Sequence, residues 1–257
     1  MGTHFKQGFT IIETMLVLAI SGSLVVALLV GVGSTINTQR YRDSVVSFKA
    51  LLQDQYSQID NIRNDREGRW TCNQTASPAD NGDTWPGQSE CVILGRYISV
   101  QGGEIKAASV VGYKTSETAA ANDVAQLANN YALGIASDSI DELSLEWGAV
   151  MKRPNGEPGG SNISILLLRS PESGNTYTFQ SQTVPAITAV NAAFLKTMVL
   201  ESTAQQARTL CVVPTGVTFI PEVLAISIAE SASGPSAIEV RTNQNSKDAG
   251  STSVCSL

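Results

Sequence analysis

Residues 8–33 read GFTIIETMLVLAISGSLVVALLVGVG, an apolar run with one carboxylate, Glu13, near its start. A run of this length predicts a membrane-spanning helix, since roughly 20 apolar residues cross the hydrocarbon core. Only as a helix does the backbone satisfy its own hydrogen bonds there. A carboxylate in hydrocarbon costs a few kcal/mol or more, so Glu13 is a candidate functional residue that needs a partner of opposite charge.

The residues around this run decide between a retained span and a cleaved signal. The polar leader at residues 1–8, MGTHFKQG, carries one positive charge at Lys6, which favours a cytoplasmic N-terminus. A secretory signal peptide is the alternative, because Gly31 and Gly33 before Ser34 form a small-x-small cleavage site. The apolar region is longer than the roughly 7–15 residues of such signals, which favours a retained span.

Gly8, Phe9, Thr10 and Glu13 form the pattern G-F-T-x-x-E at the head of the apolar run. This pattern resembles the class III signal of type IV pilins and type II secretion pseudopilins. The resemblance by motif covers about the first 35 residues. The remainder of the chain is similar to that family in layout alone.

The resemblance implies a processing step and an assembly role. A membrane prepilin peptidase would cut between Gly8 and Phe9, making residues 1–8 a leader, and would methylate the new amino group of Phe9. Glu13 would then pair with the amine of Phe9 on a neighbouring subunit. At about 4 Å and an effective dielectric near 20, the attraction is roughly 4 kcal/mol before desolvation is subtracted. A carboxylate that snorkels to the lipid headgroups is the alternative role for Glu13.

Small residues recur every fourth position along the run, at Ala19, Ser23, Ala27 and Gly31. Such a stripe predicts close packing between helices, although small residues are also common in membrane helices generally. Ser21–Ser23 is expected to be the weakest part of the helix, because glycine and serine both disfavour helix interiors.

The helix is predicted to continue beyond the span, with residues 9–33 as its transmembrane part and residues 34–67 as an amphipathic part. Apolar residues follow the three-or-four spacing of one helix face; they are Val45, Phe48, Leu52, Tyr56, Ile59 and Ile62. At 1.5 Å per residue, the predicted rod from Phe9 to about Arg66 is roughly 85 Å long.

Residues 68–257 predict a β-rich globular head, which makes the fold class α+β: a long N-terminal helix packed on a head with an antiparallel sheet. Predicted strands are Val92–Val100, Glu104–Tyr113, Leu143–Met151, Ile163–Arg169, Thr176–Gln182, Arg208–Val213, Val223–Ala229 and Ala237–Arg241.

Three further expectations concern the connections within the head. Leu143–Arg169 is predicted to be a hairpin with a long loop that includes the turn signal Pro154-Asn155-Gly156. A second helix is predicted over about Ala186–Gln205, and the last three strands are expected to complete a sheet. Residues 115–130 suit a short helix or a loop equally well.

The four cysteines indicate disulfides in an oxidising compartment, since their number is even and no C-x-x-C pair occurs. Three pairings are possible. We favour Cys72 with Cys91 and Cys211 with Cys255, each stabilising by roughly 3–4 kcal/mol.

Composition and motifs do not suggest catalysis. The net charge of −6 and pI of about 4.9 argue against general nucleic-acid binding. The one histidine, His4, lies in the leader and would be removed, so we expect no enzyme activity and no cofactor.

Acidic residues at Asp138, Asp141, Glu142 and Glu146 are interpreted as a solvated edge. Asp80–Asp83 lacks the full spacing of a calcium loop and is interpreted as a turn, so no metal site is predicted.

Two function classes follow from these observations. The first is a pilin-like filament subunit, with a minor pilin or pseudopilin slightly favoured over a major pilin because the head is bulky. Its partners would be other pilin subunits, the peptidase and the assembly machinery of the cytoplasmic membrane. Its head would be exported, and the processed subunit would enter an extracellular pilus or pseudopilus. The alternative is a single-span membrane-anchored binding or adhesion protein that does not polymerise.

Overall fold

The structure is a computed structural model that describes residues 10–61, 70–80, 90–154, 162–201, 203–215 and 223–242, together with residue 255. Within these residues the fold is α+β. A long N-terminal apolar helix carries a head built from antiparallel β-sheets.

Helix α1 spans Ile11–Asp60, 50 residues and roughly 75 Å. Side chains at residues 11–32 are exposed, whereas one face from Tyr41 onward is buried in the head. The helix ends at Asp60, because Asn61 leaves the helical backbone and its N–H donates to the carbonyl of Ser57. Residues 62–67, which are also predicted to belong to this helix, lie outside the described part of the chain.

The buried face of α1 is the stripe that the sequence predicts. It contains Val45, Phe48, Leu52, Tyr56 and Ile59, with Tyr41, Ser44 and Gln55 beside them. Burying each large apolar side chain contributes about 1.5–3 kcal/mol. This face therefore fixes the helix to the head.

After α1, the described part of the head contains twelve strands and two short helices. In chain order, these elements are β1 Trp70–Cys72, β2 Pro78–Asp80, β3 Cys91–Gln101, β4 Glu104–Lys114, α2 Asp123–Asn130, β5 Tyr131–Ile135, β6 Asp141–Ser144, β7 Ala149–Lys152, β8 Asn162–Arg169, β9 Thr176–Ser181, α3 Ala192–Leu200, β10 Arg208–Pro214, β11 Leu224–Ile228 and β12 Ile238–Thr242.

The largest sheet among the described residues has six antiparallel strands, in the order β5-β4-β3-β8-β9, with β6 sharing the outer edge of β4 with β5. Strands β3 and β4 form a hairpin whose register shifts between Ile93 and Gly95. At Gly95 a Cβ atom would lie 1.8 Å from the carbonyl oxygen of Leu167. Only glycine fits this position without a backbone shift.

A second sheet has four antiparallel strands in the order β12-β11-β10-β7. One of its faces shares a core with α1 and one face of the six-stranded sheet. Ile98 and Ile165 enter this core from the larger sheet, and Val212 and Ile226 enter it from the smaller one. The buried half of α1 thus contributes to the core of both sheets.

Helices α2 and α3 cover the opposite face of the six-stranded sheet. Tyr97, Leu166 and Leu168 point to this side, where they pack with Leu127 of α2 and Leu195 of α3. Both faces of β8 are buried, which explains why its sequence is an almost unbroken apolar run rather than an alternating one.

The structure pairs Cys72 with Cys91 and Cys211 with Cys255, the pairing favoured from the sequence. The first disulfide joins the end of β1 to the start of β3. The second ties residue 255 to β10, where Cys211 and Cys255 pack with Val213 and Ala225.

The predicted strand Leu143–Met151 is wrong as a single element. It is divided into β6 and β7 by a 3-10 turn at Glu146–Gly148, and these strands lie in different sheets. The predicted hairpin is also wrong, because β7 pairs with β10 whereas β8 pairs with β3 and β9. Two residues of its turn signal, Asn155 and Gly156, lie outside the described residues.

The helical prediction for Ala186–Gln205 is too long. A 3-10 turn at Ile187–Ala189 precedes α3, which begins after Asn191 because the side chain of Asn191 caps the N–H of Phe194. The ambiguous region at residues 115–130 is an irregular segment followed by α2. The last three strands form the second sheet together with β7.

Candidate assembly site

The first turn of α1 is organised by Thr10. Its backbone is extended, and its Oγ1 accepts a hydrogen bond from the N–H of Glu13 at 3.3 Å. This is an N-terminal helix cap, which typically stabilises by about 1 kcal/mol. In the sequence, Thr10 is recognised only as part of the G-F-T-x-x-E motif. The T-x-x-E spacing at residues 10–13, which is typical of a capping box, was the signal for this second role.

Glu13 lies in the same first turn, at the end of α1 farthest from the head. The positive end of the helix dipole favours a carboxylate there by about 0.3–1 kcal/mol on an exposed surface. Among the described residues, Glu13 forms no ion pair with another side chain. Gly8 and Phe9 lie outside the described chain, so cleavage and methylation stay predictions.

Helix α1 is the one helix in the described chain that is long and apolar enough to cross a membrane. Its exposed residues 11–32 extend over roughly 33 Å, which matches the approximately 30 Å of a hydrocarbon core. Ile12 is 78% exposed and Leu29 is 67% exposed. The exposed apolar surface of α1 thus lies outside the core of the head.

The small residues Ala19, Ser23, Ala27 and Gly31 all lie on this exposed part of α1. A Cβ atom at Gly31 would meet no heavy atom within 4 Å. The packing role of the four residues therefore stays a prediction about contacts with another molecule.

The helix is continuous through Ser21–Ser23. The Ser21 hydroxyl donates to the carbonyl of Val17 at 2.5 Å, and the Ser23 hydroxyl donates to the carbonyl of Ile20 at 2.8 Å. Both polar groups are thus satisfied within the helix, which lowers the cost of placing them in hydrocarbon.

The head meets α1 at a junction formed by the turn between β6 and β7. The Arg40 guanidinium lies 4.8 Å from the centre of the Trp147 ring, a cation–π contact. Nearby, the Ser47 hydroxyl donates to Glu146 Oε2 at 3.2 Å. Sequence reasoning missed this junction, since residues 40 and 147 are brought together only by the tertiary fold.

The two acidic residues of β6 each pair with a basic side chain. Arg96 Nη2 donates to Asp141 Oδ2 at 2.5 Å, and Lys106 Nζ donates to Glu142 Oε1 at 2.8 Å. The Lys106 hydrogen bond holds the pKa of the Glu142 carboxyl below its usual value. This arrangement supports their interpretation as an edge of the sheet.

No group of three or more potential metal ligands occurs among the described residues. Asp80 ends β2, whereas residues 81–83 of the weak calcium pattern fall beyond the described chain.

Comparisons of the chain with protein-family models, curated proteins and solved structures found no match. The resemblance to type IV pilins therefore depends on residues 8–13 and on the layout of a long apolar helix ahead of a β-rich head.

Proposed function

We propose that this chain is a subunit of a type IV pilin-like filament, cut by a prepilin peptidase between Gly8 and Phe9 and assembled through the exposed part of α1. The observation that carries the proposal is the division of one continuous helix. Its distal part is apolar, exposed and headed by Glu13, and its proximal part is buried in the head.

This division suits a subunit that changes its surroundings. The exposed apolar side chains need lipid around them before assembly and the helices of other subunits afterwards. Burial of about 25 cal/mol for each Å² of apolar surface would favour both states over water. The stripe at Ala19, Ser23, Ala27 and Gly31 would let neighbouring helices approach closely.

The role proposed for Glu13 is electrostatic. Cleavage after Gly8 would create a positive amine on Phe9, and the Glu13 carboxylate of an adjacent subunit would neutralise it within an apolar bundle. The cap at Thr10 supports this role, because it starts the helix at Ile11 and keeps Glu13 in the first turn.

The subunit would reside in the cytoplasmic membrane with its head exported and then enter a pilus or pseudopilus. Its partners would be the peptidase, the assembly machinery and other pilin subunits. The bulk of the head slightly favours a minor pilin or pseudopilin, since large heads are harder to pack at every position of a filament.

Mass spectrometry of the membrane-extracted chain tests the processing step. We expect a mature N-terminus at Phe9, carrying one added methyl group. A chain that keeps residues 1–8 in cells with an active prepilin peptidase would contradict the proposal and favour a single-span binding protein.

Substitution of Glu13 tests the assembly step. We expect Glu13→Val to leave cleavage and membrane insertion intact but to remove the subunit from sheared filaments, detected by immunoblotting. Thr14→Val is the matched control, because the Thr14 hydroxyl donates only to the carbonyl of Ile11 in the same helix. Normal incorporation of the Glu13→Val chain would contradict charge pairing.

A further inference from the structure

We infer that Trp147 and Arg40 form a membrane-interface contact, in which the Trp147 indole enters the lipid headgroup layer and holds the head at a set depth beside its own span. This inference depends on the membrane span in α1. It does not depend on polymerisation.

The position of Arg40 along α1 supports the inference. Arg40 follows Val32, the last residue of the exposed apolar part, by eight residues, or roughly 12 Å of helix. Side chains of a helix lean toward its N-terminus, so the guanidinium reaches back toward the span. A headgroup layer is roughly 5–8 Å thick on each side of the bilayer. The paired Trp147 ring is therefore within reach of that layer.

The head also presents Trp147 on the side closest to the span. The first buried residue of α1 is Tyr41, whose hydroxyl donates to the carbonyl of Val212 at 2.8 Å. Trp147 lies against Arg40, one residue before this point, and is 56% exposed. Among the head side chains that the structure describes, Trp147 is the one large aromatic side chain that is exposed. Tryptophan is enriched at membrane interfaces because its ring is apolar and its N–H is a donor.

The backbone directs this ring outward. Trp147 has φ 57° and ψ 29°, in the left-handed region that bulky residues rarely adopt, and Gly148 follows with φ 67°. Thr215 holds the turn through a backbone N–H bond of 3.2 Å and a hydroxyl bond, both to the carbonyl of Gly148. Such a conformation persists where surrounding structure imposes it, and it is frequent at functional positions.

The surroundings of the ring fit a phospholipid surface without requiring a charged lipid. Arg40 covers the ring, and no described residue accepts a hydrogen bond from its indole N–H. Arg40, Arg42, Asp43 and Glu146, at this junction and next to it in the sequence, carry two positive and two negative charges, which sum to zero. We therefore assign the contact to the headgroup and carbonyl layer of a phospholipid bilayer, with the ring rather than net charge as the anchor.

Fluorescence quenching in vesicles tests the inference. The full chain carrying Trp70→Phe and Trp85→Phe, so that Trp147 is the sole tryptophan, is reconstituted into phosphatidylcholine vesicles. The lipid is brominated either near the headgroup or near the chain ends. We expect shallow bromine to quench Trp147 at least about twofold more than deep bromine, as for an indole at the interface. Equal, negligible quenching by both lipids would overturn the inference.

A second measurement keeps the inference testable if the chain carrying Trp70→Phe and Trp85→Phe folds poorly. With all three tryptophans present, the wild-type chain is compared with Trp147→Asn, since asparagine tolerates the left-handed backbone and keeps the turn. The shallow-quenched emission should be lost in Trp147→Asn; its retention would overturn the inference. Both measurements use unassembled chains in vesicles. Failure of Glu13-dependent assembly would therefore leave the quenching result unaffected. Failure of the quenching test would likewise leave the proposed role of Glu13 in assembly unaffected.

Discussion

Tyr97 illustrates how single polar groups are accommodated in the head. Its side chain is fully buried, and its hydroxyl lies 2.8 Å from Ser164 Oγ. Ser164 donates its own proton to the carbonyl of Thr183, so Tyr97 acts as the donor to Ser164. Burial raises the pKa of the Tyr97 phenol from its usual 10.0 to about 12.

This shift predicts a loss of stability at high pH. The unfolded phenol loses its proton near pH 10, whereas the folded one keeps it to about pH 12, so the free energy of unfolding falls as pH rises through that window. At about 1.4 kcal/mol per unit, the loss should reach about 2–3 kcal/mol. Urea unfolding of the full chain in detergent measures it.

Tyr97→Phe is the control for the pH effect. It keeps the ring in the core and leaves Ser164 bonded to Thr183, so the decline between pH 10 and pH 12 should become shallower. An unchanged slope in this variant would assign the decline to other groups, such as the buried Tyr56, whose pKa burial also raises.

At the level of elements, α1 combines two kinds of surface in one helix. Its exposed residues 11–32 have no core to join, whereas residues from Tyr41 onward pack into the core between two sheets. Arg96 of β3 links α1 to the six-stranded sheet. Its Nε donates to Gln55 Oε1 of α1 at 2.9 Å, and its Nη2 donates to Asp141 Oδ2 of β6. The helix therefore serves as a structural part of the head as well as the candidate membrane and assembly element.

Phe48 and Val46 lie two residues apart in the docked half of α1 but on different faces of the helix. Phe48 is 1% exposed and Val46 is 58% exposed. We expect Phe48→Ala to lower the free energy of unfolding by about 3–5 kcal/mol, because it leaves a cavity under both sheets. Val46→Ala should change it by less than about 0.5 kcal/mol. Comparable losses for both variants in denaturant unfolding would show that this half of α1 is not docked as described.

At the scale of the whole molecule, the two disulfides constrain different parts of the head. Cys72–Cys91 closes a separation of 19 residues near the start of the six-stranded sheet. Cys211–Cys255 closes a separation of 44 residues and holds residue 255 in the core on the outer side of the second sheet. The latter cysteines are buried, whereas Cys72 and Cys91 are half-buried.

Loop length and burial both predict that the second disulfide matters more. Cys211→Ala with Cys255→Ala should cost roughly 4 kcal/mol, and Cys72→Ala with Cys91→Ala roughly 3 kcal/mol or less, in the chain-entropy estimate. Denaturant midpoints of the two double variants, measured on the full chain, compare them directly. A larger loss from the Cys72–Cys91 variant would contradict this ranking.

Local patterns were enough to predict α1, its buried stripe and most strands, because each depends on periodicity within one segment. The stripe from Val45 to Ile59 and the alternation in β4 are read along a single stretch of chain. Errors arose where neighbours along the chain separate in space, as at β6 and β7. Their apolar pattern is continuous, yet the left-handed turn at Trp147 sends them to different sheets.

By itself, the sequence determined that an apolar helix with one acid precedes a β-rich head, because hydrophobic period and length are local properties. Only the tertiary structure decided that the strands divide into separate sheets around α1, and that Arg40 of α1 meets Trp147 of the head. Sheet partners and contacts across 107 positions depend on how layers pack, and no single stretch of sequence encodes that packing.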